Sequence, residues 1–152
     1  MQFRDATEQD LAAIVALLAD DILGAQRELV AEPLPNEYAA AFQELSQQAG
    51  NRLIVAEDEA QRIVGCLQLT ITPGIARRGA KRATIEGVRV AANTRGSGLG
   101  AQIIKYAIDQ ARCANCHLVQ LTTDKTRPDA HRFYENLGFL PSHIGMKLNL
   151  SE

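Results

Sequence analysis

The stretch between residues 53 and 90 leaves no room for a crossover helix. Two apolar runs, 53–57 and 63–72, are separated only by Asp58-Glu59-Ala60-Gln61, and a third, 83–90, follows Pro73-Gly74 and a turn holding Arg77, Arg78, Lys81 and Arg82. Strands joined by links this short lie antiparallel, because a parallel return needs about a dozen residues or more. Past Val90 the period changes: Leu99, Ile103, Ala107 and Ala111 recur at helical spacing, and residues 118–123 read as a further strand. One β-α-β crossover therefore follows a meander, and its two strands are expected to be parallel.

The flanks complete the order. Residues 2–6 read as a short strand, and Thr7 with Asp10 three residues on forms a capping-box pattern before Leu11, Ile14, Val15 and Leu18. Residues 20–35 have no clean period. Tyr38, Phe42, Leu45 and Ala49 suggest a second helix, stopped by Gly50 and Asn51. Pro128 opens a last helix carrying Ala130, Phe133, Tyr134 and Leu137, and Gly138 closes it. Ile144, Met146, Leu148 and Leu150 alternate with Gly145, Lys147 and Asn149, which predicts a terminal strand with one buried face. The fold class is α/β (α+β): a mixed, largely antiparallel sheet, helices on both faces and one crossover.

Composition narrows the function. The 152 residues hold 16 basic and 18 acidic side chains, a formal charge of −2. That balance cannot supply the broad positive field that a phosphate backbone requires, so nucleic acid is not expected as a partner. No apolar run approaches the ~20 residues of a membrane span, and Asp5 stands where a secretory peptide would be apolar. A cytoplasmic protein that needs no membrane is the expectation. Three cysteines are an odd number and do not make a disulfide framework. Cys113-Ala114-Asn115-Cys116-His117 matches a haem-attachment or half-zinc pattern, but only Cys66 remains as a further thiol. These are read as structural thiols, with no metal expected.

The loop Arg95-Gly96-Ser97-Gly98-Leu99-Gly100 sits between a strand and a helix. Glycines let backbone amides converge and an anion approach, and the helix start adds about half a positive charge there. Such a loop suits phosphate. Gly96, Gly98 and Ala101 also fit a loose dinucleotide pattern, with Asp124 where a ribose-binding acid would sit. That fold needs repeated β-α-β units, and one crossover does not provide them. A P-loop is excluded, since no Lys-Ser or Lys-Thr follows the glycines.

Together, Val88-Arg89-Val90, this loop and the later Ala130-His131-Arg132-Phe133-Tyr134-Glu135-Asn136-Leu137-Gly138-Phe139 resemble the GNAT superfamily of N-acetyltransferases. The resemblance implies a single N-acetyltransferase domain over residues 1–152, with acetyl-coenzyme A as donor. It implies that the pyrophosphate lies on the amides of Arg95, Gly96, Ser97, Gly98, Leu99 and Gly100, next to Ala101 and Phe133. It also implies that the pantetheine arm runs beside Val88, Arg89 and Val90, in a cleft where the sheet splays. A homodimer is favoured by the same resemblance. The family's frequent asparagine, three residues before the alanine of the second motif, is here Arg127, so that contact is not carried over.

Acetyl transfer to an amine needs a neutral nitrogen, a stabilised oxyanion and a proton for the departing thiolate. By strict alternation Glu86 shares a face with Val88 and Val90, in apolar surroundings where a carboxylate becomes a stronger base. It is the candidate general base, acting through water; a surface glutamate turned out by a bulge at Gly87 is the alternative. Tyr134 lies on the apolar stripe of its helix, and the resemblance implies that it donates the proton to the thiolate. A main-chain amide near residues 88–90 is the expected oxyanion donor. The acceptor, a small-molecule or peptide amine, is expected between residues 20–37 and a hairpin at 141–143, and the acids Asp20, Asp21, Glu28, Glu32 and Glu37 suggest a cationic amine. His131 and His143 are read as solvated side chains. Two alternatives stay open: a non-catalytic module that binds coenzyme A as a sensor, and a nucleotide-binding oxidoreductase.

Overall fold

The computed structural model describes residues 1–21 and 23–150. Strand β1 (Gln2–Asp5) leads through a turn of 3-10 helix into helix α1 (Leu11–Ala19). Helix α2 (Asn36–Gln47), strands β2 (Asn51–Glu57) and β3 (Ile63–Thr72), the single helical turn α3 (Ala76–Gly79) and strand β4 (Arg82–Val90) follow. Helix α4 (Leu99–Cys113), strand β5 (Leu118–Leu121) and helix α5 (Pro128–Asn136) come last. The strands form one mixed sheet in the order β1-β2-β3-β4-β5. The first three pairings are antiparallel, and β4 and β5, joined by α4, run parallel as the crossover requires.

Both faces of the sheet are covered. Ile54, Ala56, Leu67, Leu69, Ala83 and Ile85 pack with Leu99, Ile103, Ile104 and Ala107 of α4. On the opposite face Val55 and Cys66 pack with Ile14 and Leu17 of α1. Ile54, Val55 and Ala56 are consecutive and all fully buried, which only a strand sandwiched between helices permits. Burial pushes the Cys66 thiol up to about 12, although the nearby Arg89 charge opposes this, so the thiol stays protonated.

The capping box at Thr7 and Asp10 forms. Its carboxylate also receives a fork of two bonds from Arg4, at 2.7 and 3.0 Å, while the Arg4 Nε donates to Glu57 at 2.8 Å. One guanidinium thus ties β1 to β2 and to the entry of α1. At the stop of α2, Gly50 has φ +87°, and a Cβ there would stand 2.6 Å from the Ile71 carbonyl oxygen, so the turn into β2 accepts glycine only.

The expected terminal strand is not formed. Residues 139–150 belong to no element, and Ile144, Met146, Leu148 and Leu150 are 82–92% exposed. An alternating pattern shows that a segment is fit to cover a sheet, but the segment still needs a free edge of matching length. Here the sheet ends in β5, four residues long.

Candidate active site

The site begins where two strands part. β5 pairs with β4 over Arg82–Ile85 only, so from Glu86 to Val90 the β5-facing edge of β4 has no strand partner among the described residues. Val88 and Val90 pack on the α4 side of this gap, with Phe133 and Tyr134 of α5. Phe133, Tyr134 and Phe139 form an edge-to-face series, with centroids 5.0 and 5.9 Å apart.

At the end of β4 the glycine loop turns into α4. Gly96 and Gly98 have φ of +81° and +84°, and a Cβ on either would meet nothing within 4 Å, so the loop borders open space. Gly98 is the N-cap of α4. The first amides of the helix, at Leu99, Gly100 and Ala101, have no carbonyl one turn back within the helix. Two of the six expected amides are otherwise engaged, since Arg95 donates to Ala92 at 3.3 Å and Ser97 to Thr94 at 3.2 Å. The Leu99 side chain is a core residue, 2% exposed, and offers only its backbone. Gly100 meets a different demand: a Cβ there would lie 3.3 Å from Phe133 Cζ, so the ring would have to give by a few tenths of an ångström.

Arg95 does not point freely at the loop. Its Nη2 donates to the Asp20 carbonyl at 2.8 Å and to the Asp20 carboxylate at 2.9 Å, capping the end of α1. Next to it, Asp21 receives the Gly24 amide at 2.6 Å and stands 3.4 Å from Arg89 and 3.9 Å from Arg127. Burial pushes the Asp21 carboxyl up, but the Gly24 bond and the two guanidinium charges outweigh it, holding the group below the usual range. Arg89 donates from Nη1 to the Val88 carbonyl at 2.9 Å, and its buried Nε has no hydrogen-bond partner among the described residues. Two guanidiniums over one carboxylate leave a positive excess at the mouth of the gap.

Tyr134 is half-buried there. Burial pushes its hydroxyl up, with Arg127 and Arg89 pulling partly back, so it stays protonated at neutral pH. Glu86 departs from expectation. A bulge at Gly87, φ +60°, skips one β3 partner between Glu86 and Arg89, so Ile85 and Val88 share the α4 face while Glu86 points to the opposite one and is exposed. It is not among the apolar side chains of Val88 and Val90.

Other candidates resolve as structure. Asp124 accepts the Thr126 amide and hydroxyl at 2.9 and 2.7 Å, a turn ahead of α5, and His131 Nε2 lies 2.8 Å from the Asp124 carbonyl oxygen. The Cys113–His117 pattern is the turn from α4 to β5, where Asn115 has φ +57° and His117 Nδ1 accepts the Lys81 amide at 3.2 Å. Cys113 is exposed and Cys116 half-buried. No hairpin forms at 141–143, where Ser142 and His143 contact each other in an exposed segment. The acids of 20–37 do not make a cation site: Asp20 and Asp21 face arginines, and Glu28 accepts the Tyr38 hydroxyl at 2.9 Å. The meeting of Asp21, Arg89 and Arg127 was not legible from spacing. Its only sequence signals were an arginine between two valines and the Arg127 departure.

Comparison with known proteins agrees with this geometry. The model of the Acetyltransferase (GNAT) family matches residues 16–139. Glucosamine 6-phosphate N-acetyltransferase 1 of Oryza sativa subsp. japonica is 30% identical over 119 residues, covering 76% of this chain and 70% of the relative. Among solved structures, a transcriptional regulator from Bacillus halodurans C-125 is 51% identical with a TM-score of 0.94, covering 98% of this chain and 99% of its own. An acetyltransferase from Trypanosoma brucei is 29% identical with a TM-score of 0.78 and the same coverage.

Proposed function

The chain belongs to the acetyltransferase (GNAT) family, and from that premise we propose that it transfers an acetyl group from acetyl-coenzyme A to a primary amine by direct attack within a ternary complex. The single observation that carries this reading is the unpaired edge of β4 running straight into a glycine loop with open space at the start of α4. When bound, acetyl-coenzyme A supplies an acetyl group activated as a thioester. The amides of Gly96, Gly98, Leu99 and Gly100 would hold its pyrophosphate, next to Ser97, Ala101 and Phe133. The backbone of Val88, Arg89 and Val90 would hold its amide arm as an added strand.

Within the gap the chain's own groups divide the work. A main-chain amide near residues 88–90 polarises the acyl oxygen. The exposed Glu86 accepts the amine's proton through water, for which its solvated position gives access. The Tyr134 hydroxyl, held protonated by burial, gives a proton to the departing sulfur. The nitrogen–carbon bond forms as the carbon–sulfur bond breaks, so one proton leaves the amine and one reaches the thiolate.

The acceptor in this reading carries an anionic group beside its amine. Arg89 and Arg127 would receive the anion through their outer guanidinium nitrogens. The rice relative is named for a phosphorylated amino sugar, which supports the same class. A second reading is a coenzyme-binding sensor without turnover, which the Bacillus relative's description as a transcriptional regulator favours.

An amine screen by thiol release tests these readings. Phosphorylated amines are expected to turn over well ahead of their neutral counterparts, and Arg127→Gln to raise KM for the phosphorylated ones with little change in kcat. Tyr134→Phe is expected to lower kcat by about 10²-fold or more. Coenzyme binding with no turnover of any amine would favour the sensor, and unchanged turnover in the Phe variant would remove Tyr134 from the proton transfer.

A further inference from the structure

Asp21 lies at the mouth of the gap, and the proposed transfer gives it no task. Its own main chain holds it in place: Oδ1 accepts the Gly24 amide at 2.6 Å, and a Cβ on Gly24 would run into the Leu18 carbonyl oxygen, so that residue is pressed against the end of α1. The carboxylate is anchored from behind. Although burial pushes it up, the Gly24 bond and the charges of Arg89 and Arg127 hold it below the usual range, so it is ionised at neutral pH.

Its contacts with the two arginines are of another kind. Oδ2 stands 3.4 Å from Arg89 and 3.9 Å from Arg127, whereas a carboxylate gripped by a guanidinium is bonded at about 2.7–2.9 Å, as Asp10 is by Arg4 at 2.7 Å. A brace would close those distances. The arginine side chains also stay 22% and 46% exposed, so an anion from solvent can reach the same pair. Asp124 does not fill that role, since it is exposed, bonded to Thr126, and feels the charge of Arg27 as well as that of Arg127. The pair is neutralised in part from a distance and is not occupied.

Resting on the reading that the acceptor carries an anion, we propose that Asp21 sets how strongly this site prefers anionic over neutral amines, as a fixed counter-charge that weakens the Arg89–Arg127 pair for every anion. Without it, two guanidiniums within 4 Å of one point would repel each other and take any passing phosphate. With it, they are held together at an excess of one positive charge, and an incoming anion must sit beside a carboxylate that repels it. A lone anion gains little there. The pair fills when the rest of the acceptor, amine included, makes contacts of its own.

Calorimetric titration of the whole chain with inorganic phosphate, at fixed ionic strength and without coenzyme, reads the pair directly. Asp21→Asn keeps an oxygen for the Gly24 amide and removes the charge. It is expected to bind phosphate about tenfold more tightly than the parent, and adding Arg127→Gln is expected to abolish the gain. Asp21→Ser, a second neutral acceptor for that amide, is expected to show the same gain, which a chain that merely fails to fold cannot produce. Neutral variants that bind phosphate no more tightly than the parent would make Asp21 a brace and overturn the proposal, as would a gain that survives Arg127→Gln. Either result leaves the acceptor reading standing, because the parent's own preference for phosphorylated over neutral amines tests that separately. No phosphate binding by parent or variants would overturn both.

Discussion

Asp10 shows how one side chain can set the acid limit of the fold. Its carboxyl is lowered to about 2, chiefly by the fork from Arg4, with the Thr7 amide and hydroxyl adding to it and burial opposing. The native group therefore holds its proton less tightly than the unfolded one. Its stabilisation is fully present above pH 4 and is lost as pH falls towards 2. A shift of this size is worth on the order of 2 kcal/mol. Asp10→Asn is expected to lower the urea midpoint at pH 7 clearly, with the gap between parent and variant closing as the titration approaches pH 2. A gap that stayed constant with pH would mean that the carboxylate's charge is not what Arg4 uses. Asp124 is lowered as well, by the Thr126 amide and hydroxyl, but it is exposed and its effect is correspondingly small.

At the scale of elements, the glycines of the loop divide into two kinds. Gly98 needs its left-handed backbone but borders open space, whereas Gly100 sits in ordinary helix against Phe133. Gly98→Ala is expected to cost about 1 kcal/mol or more in backbone strain and to weaken coenzyme binding. Gly100→Ala puts a methyl 3.3 Å from Phe133 Cζ, so the ring must give by a few tenths of an ångström, against the Tyr134 ring beside it. Its expected signature is a fall in kcat larger than any change in coenzyme affinity, measured by titration against steady-state rates. Loops of this kind were legible in the sequence because periodicity places them: the switch from period two to period 3.6 at Val90 fixed the strand–glycine–helix order. The Thr7–Asp10 cap and the Gly50 and Gly138 stops were legible for the same local reason. Glu86 was misplaced because alternation assumes an unbroken pleat, and the bulge at Gly87 adds a residue that turns the side chain over. The terminal strand failed differently. Its pattern states that one face wants cover, and no local rule says whether the sheet offers an edge of matching length. Asp21, Arg89 and Arg127 come from three distant segments, so only the folded chain brings them together.

Across the whole molecule, the candidate site draws on both ends of the chain. Asp20 and Asp21, just past α1, face Arg95 and Arg89 from the motif half, and Arg127 reaches in from the start of α5. These pairs are partly exposed and contribute little individually. Between them β4 and β5 diverge after only four paired positions, so the mouth of the gap is held open by few contacts. A ligand lying along β4 and gripped at α4 would bridge elements that the protein alone joins weakly, and its binding energy would add to the stability of the folded state. At 100 times its dissociation constant such a ligand stabilises by about 2.7 kcal/mol, which for a chain of this size corresponds to roughly 5–10 °C in Tm. Acetyl-coenzyme A and free coenzyme A are both expected to give shifts of this order by calorimetry, and reduced nicotinamide dinucleotide none, because its fold requires a second β-α-β half that this sheet lacks. A shift with the nicotinamide alone would reverse that ranking and move the glycine loop to a different chemistry. A shift with acetyl-coenzyme A that vanished in Gly98→Ala would tie the stabilisation to the loop itself.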